Sequence, residues 1–145
     1  VARLRGVGAG GALVLDAEGL VKVATGNEAA LAQFRSARRR RSQVVTAAPT
    51  LAEVLRGGGR DALLDRFLRA VTVLPVDGSV GRAAGELLGR TGLDGHRSAL
   101  DALLAVVALA QPRPVVLLTS DTSDMSRLTE EPGRPRAERV AVVHV

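Results

Sequence analysis

Five short runs of apolar and β-branched residues, separated by stretches with helical spacing, constrain this 145-residue chain more than any other feature. They fall at 12–15, 43–47, 71–76, 115–118 and 139–145. A run such as Ala12-Leu13-Val14-Leu15 has no polar face, so it suits a strand covered on both sides. Helical patterns occupy 17–25, 28–41 behind Asn27 as N-cap, 50–56, 61–70, 79–90, 97–110 and 123–128. Gly57-Gly58-Gly59, Gly92, Pro112 and Pro114 punctuate them. Strands alternating with helices predict an α/β fold with a mainly parallel sheet. The pattern covers 12–145 as one domain. Residues 1–11 hold four glycines and no periodicity, and read as a flexible lead-in.

Composition narrows the chemistry. There is no Cys, which excludes disulfide scaffolds, thiolate metal sites and cysteine nucleophiles. The two histidines, His96 and His144, are too few for a His-rich metal site. The longest uninterrupted apolar run, 102–110, is far short of the ~20 residues a membrane helix needs. With no secretory pattern at the start, the expected location is cytoplasmic. The net charge is +5, yet Lys22 is the one lysine among 20 basic residues. That arginine bias fits a GC-rich coding sequence, so the charge only weakly argues for a polyanionic partner. Phe34 and Phe67 are the sole aromatics, so no base-stacking platform is available and nucleic acid contacts must run through phosphate and metal.

Ligands of open α/β sheets bind beyond the carboxyl ends of the strands. Asp16 follows the first run and Asp121 the fourth. Glu53 and Asp101 fall in or near the first turns of two helices, and Asp124 lies three residues past Asp121. Each acid also has a plain structural reading. Asp16 and Asp121 can cap the helices that follow them. Ser98-x-x-Asp101 fits a capping box. Glu53 and Asp124 can serve helix dipoles. As a set, convergent carboxylates without Cys suit a hard cation, Mg²⁺ or Mn²⁺.

The series Leu15-Asp16, Leu51-Ala52-Glu53-Val54, Ala99-Leu100-Asp101-Ala102-Leu103 and Leu118-Thr119-Ser120-Asp121 resembles the PIN domain family. More narrowly it resembles the VapC-like toxin ribonucleases of bacterial VapBC-type toxin–antitoxin pairs. The resemblance covers residues 12–145. It implies a Rossmann-like sheet of order 3-2-1-4-5, with strands 1 and 4 adjacent. It also implies an acidic quartet of Asp16, Glu53, Asp101 and Asp121 as catalytic metal ligands, with Asp124 as a fifth and Thr119 and Ser120 lining the site. The implied activity is Mg²⁺- or Mn²⁺-dependent endoribonuclease cleavage of RNA. The implied assembly is a homodimer with a VapB-like antitoxin. Glu18 departs from the family, which has a small or hydroxyl residue there. Asp94 and His96 read as loop residues. Arg56, Arg97 and the run Arg38-Arg39-Arg40-Arg41 are the expected phosphate contacts, although that run equally suits a solvated helix C-terminus.

Two other classes compete. Asp16-Ala17-Glu18 partly matches the Asp-x-Asp nucleophile motif of haloacid dehalogenase-like phosphatases, but Glu fits the second position poorly and that chemistry wants a late basic residue. A non-catalytic or housekeeping PIN-like module that binds RNA is the other, and the complete quartet argues against it.

Overall fold

The computed structural model describes residues 10–145. Strands β1 (Ala12–Leu15), β2 (Gln43–Ala47), β3 (Thr72–Leu74), β4 (Val115–Thr119) and β5 (Ala141–His144) form one sheet. Its order is β3-β2-β1-β4-β5, and every neighbouring pair is parallel. Among the described residues seven α-helices flank it: α1 (Ala17–Ala24), α2 (Glu28–Arg39), α3 (Ala48–Val54), α4 (Ala62–Leu68), α5 (Gly78–Thr91), α6 (Gly95–Leu109) and α7 (Thr122–Leu128). The single-domain α/β architecture and the strand order implied by the family resemblance are both present.

Alternate strand residues feed two cores, as the two-residue period of a strand requires. Ala12, Val14, Val45 and Leu117 pack with α5, α6 and α7. Leu13, Leu15, Val44 and Leu118 pack with α1, α2 and α4. Both faces of β1 and β4 are therefore dry, which is why their sequences carry no polar alternation. Residue Ala12 faces Gln43 on one side and Val115 on the other, and Leu15 faces Leu118. This register ends β1 and β4 level with each other. β1 is also where the sheet changes direction of growth, which opens a crevice beyond the two strand ends.

Element ends differ from the sequence pattern where local chemistry intervenes. Strand β3 stops at Leu74 because Pro75 has no N–H for the ladder. Helix α6 begins at Gly95, earlier than its apolar pattern, because the Asp94 side chain caps it by accepting from the His96 amide at 2.9 Å. Asp94 is thus a helix cap and not a plain loop residue. The capping-box reading of Ser98 and Asp101 fails for the same reason. Ser98 lies within the helix and Asp101 in its second turn, past the orphan amides that a cap serves.

The first nine residues of the expected lead-in lie outside the described residues. Its last two are tied down: the Ser42 hydroxyl donates to the Gly10 carbonyl at 2.6 Å, and the Gln43 amide to Gly11 at 3.0 Å. Gly11 has φ +81°, and a Cβ there would stand 2.0 Å from the Pro114 carbonyl oxygen. Only glycine permits that close approach to Pro114, just before β4.

Candidate active site

Asp16 stands at the end of β1 and forms the floor of the crevice, 9% exposed. One carboxylate oxygen accepts the Gly19 amide at 2.7 Å and so caps α1. The other accepts the Ser120 amide, beyond β4, at 3.0 Å. The capping and site readings are therefore not alternatives, because the cap is what fixes the carboxylate between the two strand ends. Gly19 gives this approach room. A Cβ there would meet the Leu118 carbonyl oxygen at 3.2 Å and Asp16 Oδ1 at 3.3 Å. Thr46, fully buried in β2, donates its hydroxyl to the Leu15 carbonyl at 2.7 Å and steadies the residue before Asp16.

Asp121 caps α7 by accepting the Asp124 amide at 3.0 Å, while its own amide donates to the Thr119 hydroxyl at 3.0 Å. Buried Thr119 and the Ser120 backbone thus hold Asp121 and Asp16 respectively. Asp101 comes from α6, and Glu53, which is exposed, from α3. Asp94, Arg97, Ser98, Asp101, Asp121 and Asp124 line a cavity of about 240 Å³. Larger cavities exist elsewhere, and the two of about 520 Å³ lie along β5 and along 130–138. In the second, Glu131 and Glu138 are occupied by Arg113 and Arg134, so size does not mark the site.

Electrostatics connect the acids. Burial first, and then the charges of Asp121, Asp16 and Asp124, together push the Asp101 carboxyl up to about 6. The Glu53 carboxyl is raised by partial burial, then by Asp101 and Asp16. All five predicted acids therefore belong to one field of mutual repulsion. Among the described residues, no three acid or histidine side chains stand close enough to grip an ion as they are. The donor set itself, carboxylates and hydroxyls without sulfur or imidazole, is that of a hard divalent cation.

Other predicted residues separate. Glu18 is half exposed and pairs with Lys22 at 3.6 Å along α1, so both are engaged away from the cavity. Asp124 shares its carboxylate with Arg127 at 3.9 Å. Arg97 lines the cavity and forms no ion pair among the described residues. Arg56 does not face the site as expected. Its guanidinium donates to the carbonyls of Ala52, Glu53 and Leu55 and closes the end of α3. The run Arg38–Arg41 is also misplaced by the sequence reading. α2 leads directly into β2, so the run sits at the amino edge of a parallel sheet whose carboxyl edge holds the acids. His96 is exposed at the start of α6.

Sequence reasoning missed Thr46, Gly19 and Ser98. A hydroxyl within an apolar strand was the available signal for Thr46, since a buried hydroxyl needs a partner. It also missed Asp61, which is buried and pins the loop after α3 by accepting the Arg56 and Gly57 amides at 2.9 and 2.6 Å.

Comparison with known proteins bears on the fold. No significant match was found among curated proteins. VapBC2 from Rickettsia felis, bound to a DNA fragment from its promoter, is similar in structure with a TM-score of 0.65. The identity is 16%, over 92% of this chain and 98% of that one. FitAB bound to an IR36 DNA fragment is similar with a TM-score of 0.61 and 19% identity, over 91% of this chain and 94% of that one. At these identities the likeness is one of fold. Residues 13–131 match the model of the PIN domain, and with that match over most of its length the chain belongs to the PIN domain family.

Proposed function

We propose that this chain is a metal-dependent endoribonuclease, the toxin of a VapBC-type toxin–antitoxin pair. The observation that carries the reading is the gathering of Asp16, Glu53, Asp101, Asp121 and Asp124 at one sheet edge, where burial first and then the repulsion of neighbouring acids raise Asp101 to about 6 and also raise Glu53. Such repulsion opposes folding and is compensated when a cation binds. Asp16, Glu53, Asp101 and Asp121 are the residues that would hold Mg²⁺ or Mn²⁺, with Asp124 in support. When bound, the cation supplies charge neutralisation at the phosphoryl oxygen and a more acidic water.

The chain's own groups do the rest. Asp16 is held in one orientation by the Gly19 and Ser120 amides, so it serves as the fixed point of the site. Arg97, at the cavity rim, offers a guanidinium fork to a phosphate beside the one being cleaved. No aromatic side chain lines the cavity, so it offers bases no stacking face. Among the described residues no helix is long and apolar enough to cross a membrane. The likeness to VapBC2 and FitAB supports an antitoxin partner that covers the site with a basic side chain or an apolar helix. Leu100, exposed one residue from Asp101, offers the helix an apolar contact. The family reading also implies a homodimer.

The test is cleavage of end-labelled single-stranded RNA. Internal cuts should appear with Mg²⁺ or Mn²⁺ and vanish in excess EDTA. RNA that is bound but left intact under both conditions would favour the non-catalytic module, and equal cutting in EDTA would remove the metal from the account. The phosphatase reading gains nothing from the structure, since Glu18 is engaged by Lys22.

A further inference from the structure

The amino edge of the sheet carries a second feature. Arg38, Arg39, Arg40 and Arg41 are all exposed, and none forms an ion pair with an acid among the described residues. Arg69, capping the end of α4, is exposed near the start of β3 at the same edge. The backbone that displays the run is fixed. Arg41 adopts a left-handed conformation, φ 57°, and the next residue, Ser42, is bonded to Gly10. Arg38 lies over the Phe34 ring at 5.8 Å, and Arg40 donates to the Ser36 hydroxyl at 3.0 Å. Arg38 and Arg41 line a cavity of about 360 Å³ with Gln43, Ala70 and Thr72. Gln43 bonds Thr72 through one end of its amide, and its other end is buried without a partner.

A helix C-terminus gains little from a fourth cation, since the dipole acts within the last turn and one or two charges satisfy it. Four arginines held at a constrained turn instead form an array of guanidinium forks, a geometry that suits phosphates. Beneath them the amide oxygen of Gln43 is buried without a partner, so the floor of this cavity is incompletely satisfied. With the acids gathered at the carboxyl edge, Arg38–Arg41 stand at the opposite, amino edge of the same sheet.

We propose that the amino edge, centred on Arg38–Arg41, is a second RNA-binding surface. It grips the backbone of a long or folded RNA whose scissile segment lies at the acidic edge. This rests on RNA being the substrate. β2 alone separates the edges by roughly 17 Å, so only an RNA able to reach round the sheet engages both. A short oligonucleotide occupies the acidic edge alone.

The experiment measures binding of a fluorescent stem-loop RNA of several tens of nucleotides and of a hexamer, both in EDTA so that cleavage plays no part. Wild type is compared with Arg39→Glu/Arg40→Glu, which leaves the Phe34 contact and the Arg41 turn intact, and with Arg38→Ser/Arg39→Ser/Arg40→Ser/Arg41→Ser. Unchanged thermal unfolding of the first variant establishes its fold. The stem-loop affinity should fall at least about tenfold in the first variant, with the salt slope reduced by about 2, and further in the second. The hexamer affinity should not change. Equal stem-loop affinity in wild type and variants overturns the proposal. So does an equal loss for stem-loop and hexamer, which would mean general charge and not a separate surface. Binding of wild type to anionic phospholipid vesicles but not to the stem-loop would also overturn it, in favour of a membrane contact. Because the readout is binding, absence of RNA cleavage would count against the proposed activity and leave this result standing.

Discussion

Asp101→Asn and Asp121→Asn should each lower the RNA cleavage rate at least ~100-fold, with Asp16→Asn and Glu53→Gln alongside them. The substitutions preserve size and remove charge. A neutral amide is a weak ligand for a hard cation, and losing ~2.7 kcal/mol of transition-state stabilisation corresponds to that factor. Asp16→Asn carries an added penalty because both of its oxygens accept backbone amides at 2.7 and 3.0 Å, and an amide side chain cannot accept at both ends. Asp124→Asn should cost less than the four, since Arg127 already engages that carboxylate. Single-turnover cleavage of a labelled RNA in saturating Mg²⁺ measures all five. A variant of Asp101 with full activity would leave that acid outside the site, because its position in the second turn of α6 removes the capping role as an explanation of its chemistry.

In EDTA the same Asp101→Asn change should stabilise the protein. The Asp101 carboxyl is raised from 3.8 to about 6 in the folded chain, by burial first and then by Asp121, Asp16 and Asp124. A raised folded-state value means that the neutral acid favours the fold. That contribution is fully present below about pH 4 and is lost as pH rises through about 6. Above that range wild type carries the whole cost of the buried charge, and the Asn variant does not. After allowance for solvent screening the difference at pH 7.5 is about 1–2 kcal/mol, or a melting temperature about 3–6 °C higher for the variant. At pH 3.5 the difference should close. Thermal unfolding followed by circular dichroism across pH 3.5–8 measures it. A variant less stable than wild type at pH 7.5 would mean that Asp101 is not held among other negative charges.

The parts of the fold written in periodicity were the most legible. β1 and β4 are covered on both faces, so unbroken apolar runs such as Ala12–Leu15 marked them with few alternatives. Helix ends set by side-chain caps were harder. Asp94 starts α6 through a single hydrogen bond, and the apolar pattern behind it begins two residues later. The acids of the candidate site were visible because strand ends in an α/β sheet are few, and two carry Asp. Their supports were not visible, because Thr46 meets Leu15 and Asp16 meets Ser120 across 31 and 104 residues of chain. The arginines misled for a related reason. Sequence shows charge but not edge, and only the parallel register sends Arg38–Arg41 to the side of the sheet opposite Asp16. Arg56 was equally hidden, since its use as a closing group for α3 depends on the chain turning at Leu55.

The central claim is that five carboxylates at one sheet edge are a single cation site. Calorimetric titration of Mn²⁺ into the metal-free protein at pH 7.5 tests it most directly. Wild type should bind saturably, and Asp101→Asn and Asp121→Asn should each bind at least ~10-fold more weakly, because every ligand removed takes charge from the same centre. Binding of equal strength in wild type and both variants, or no binding in wild type, would contradict it.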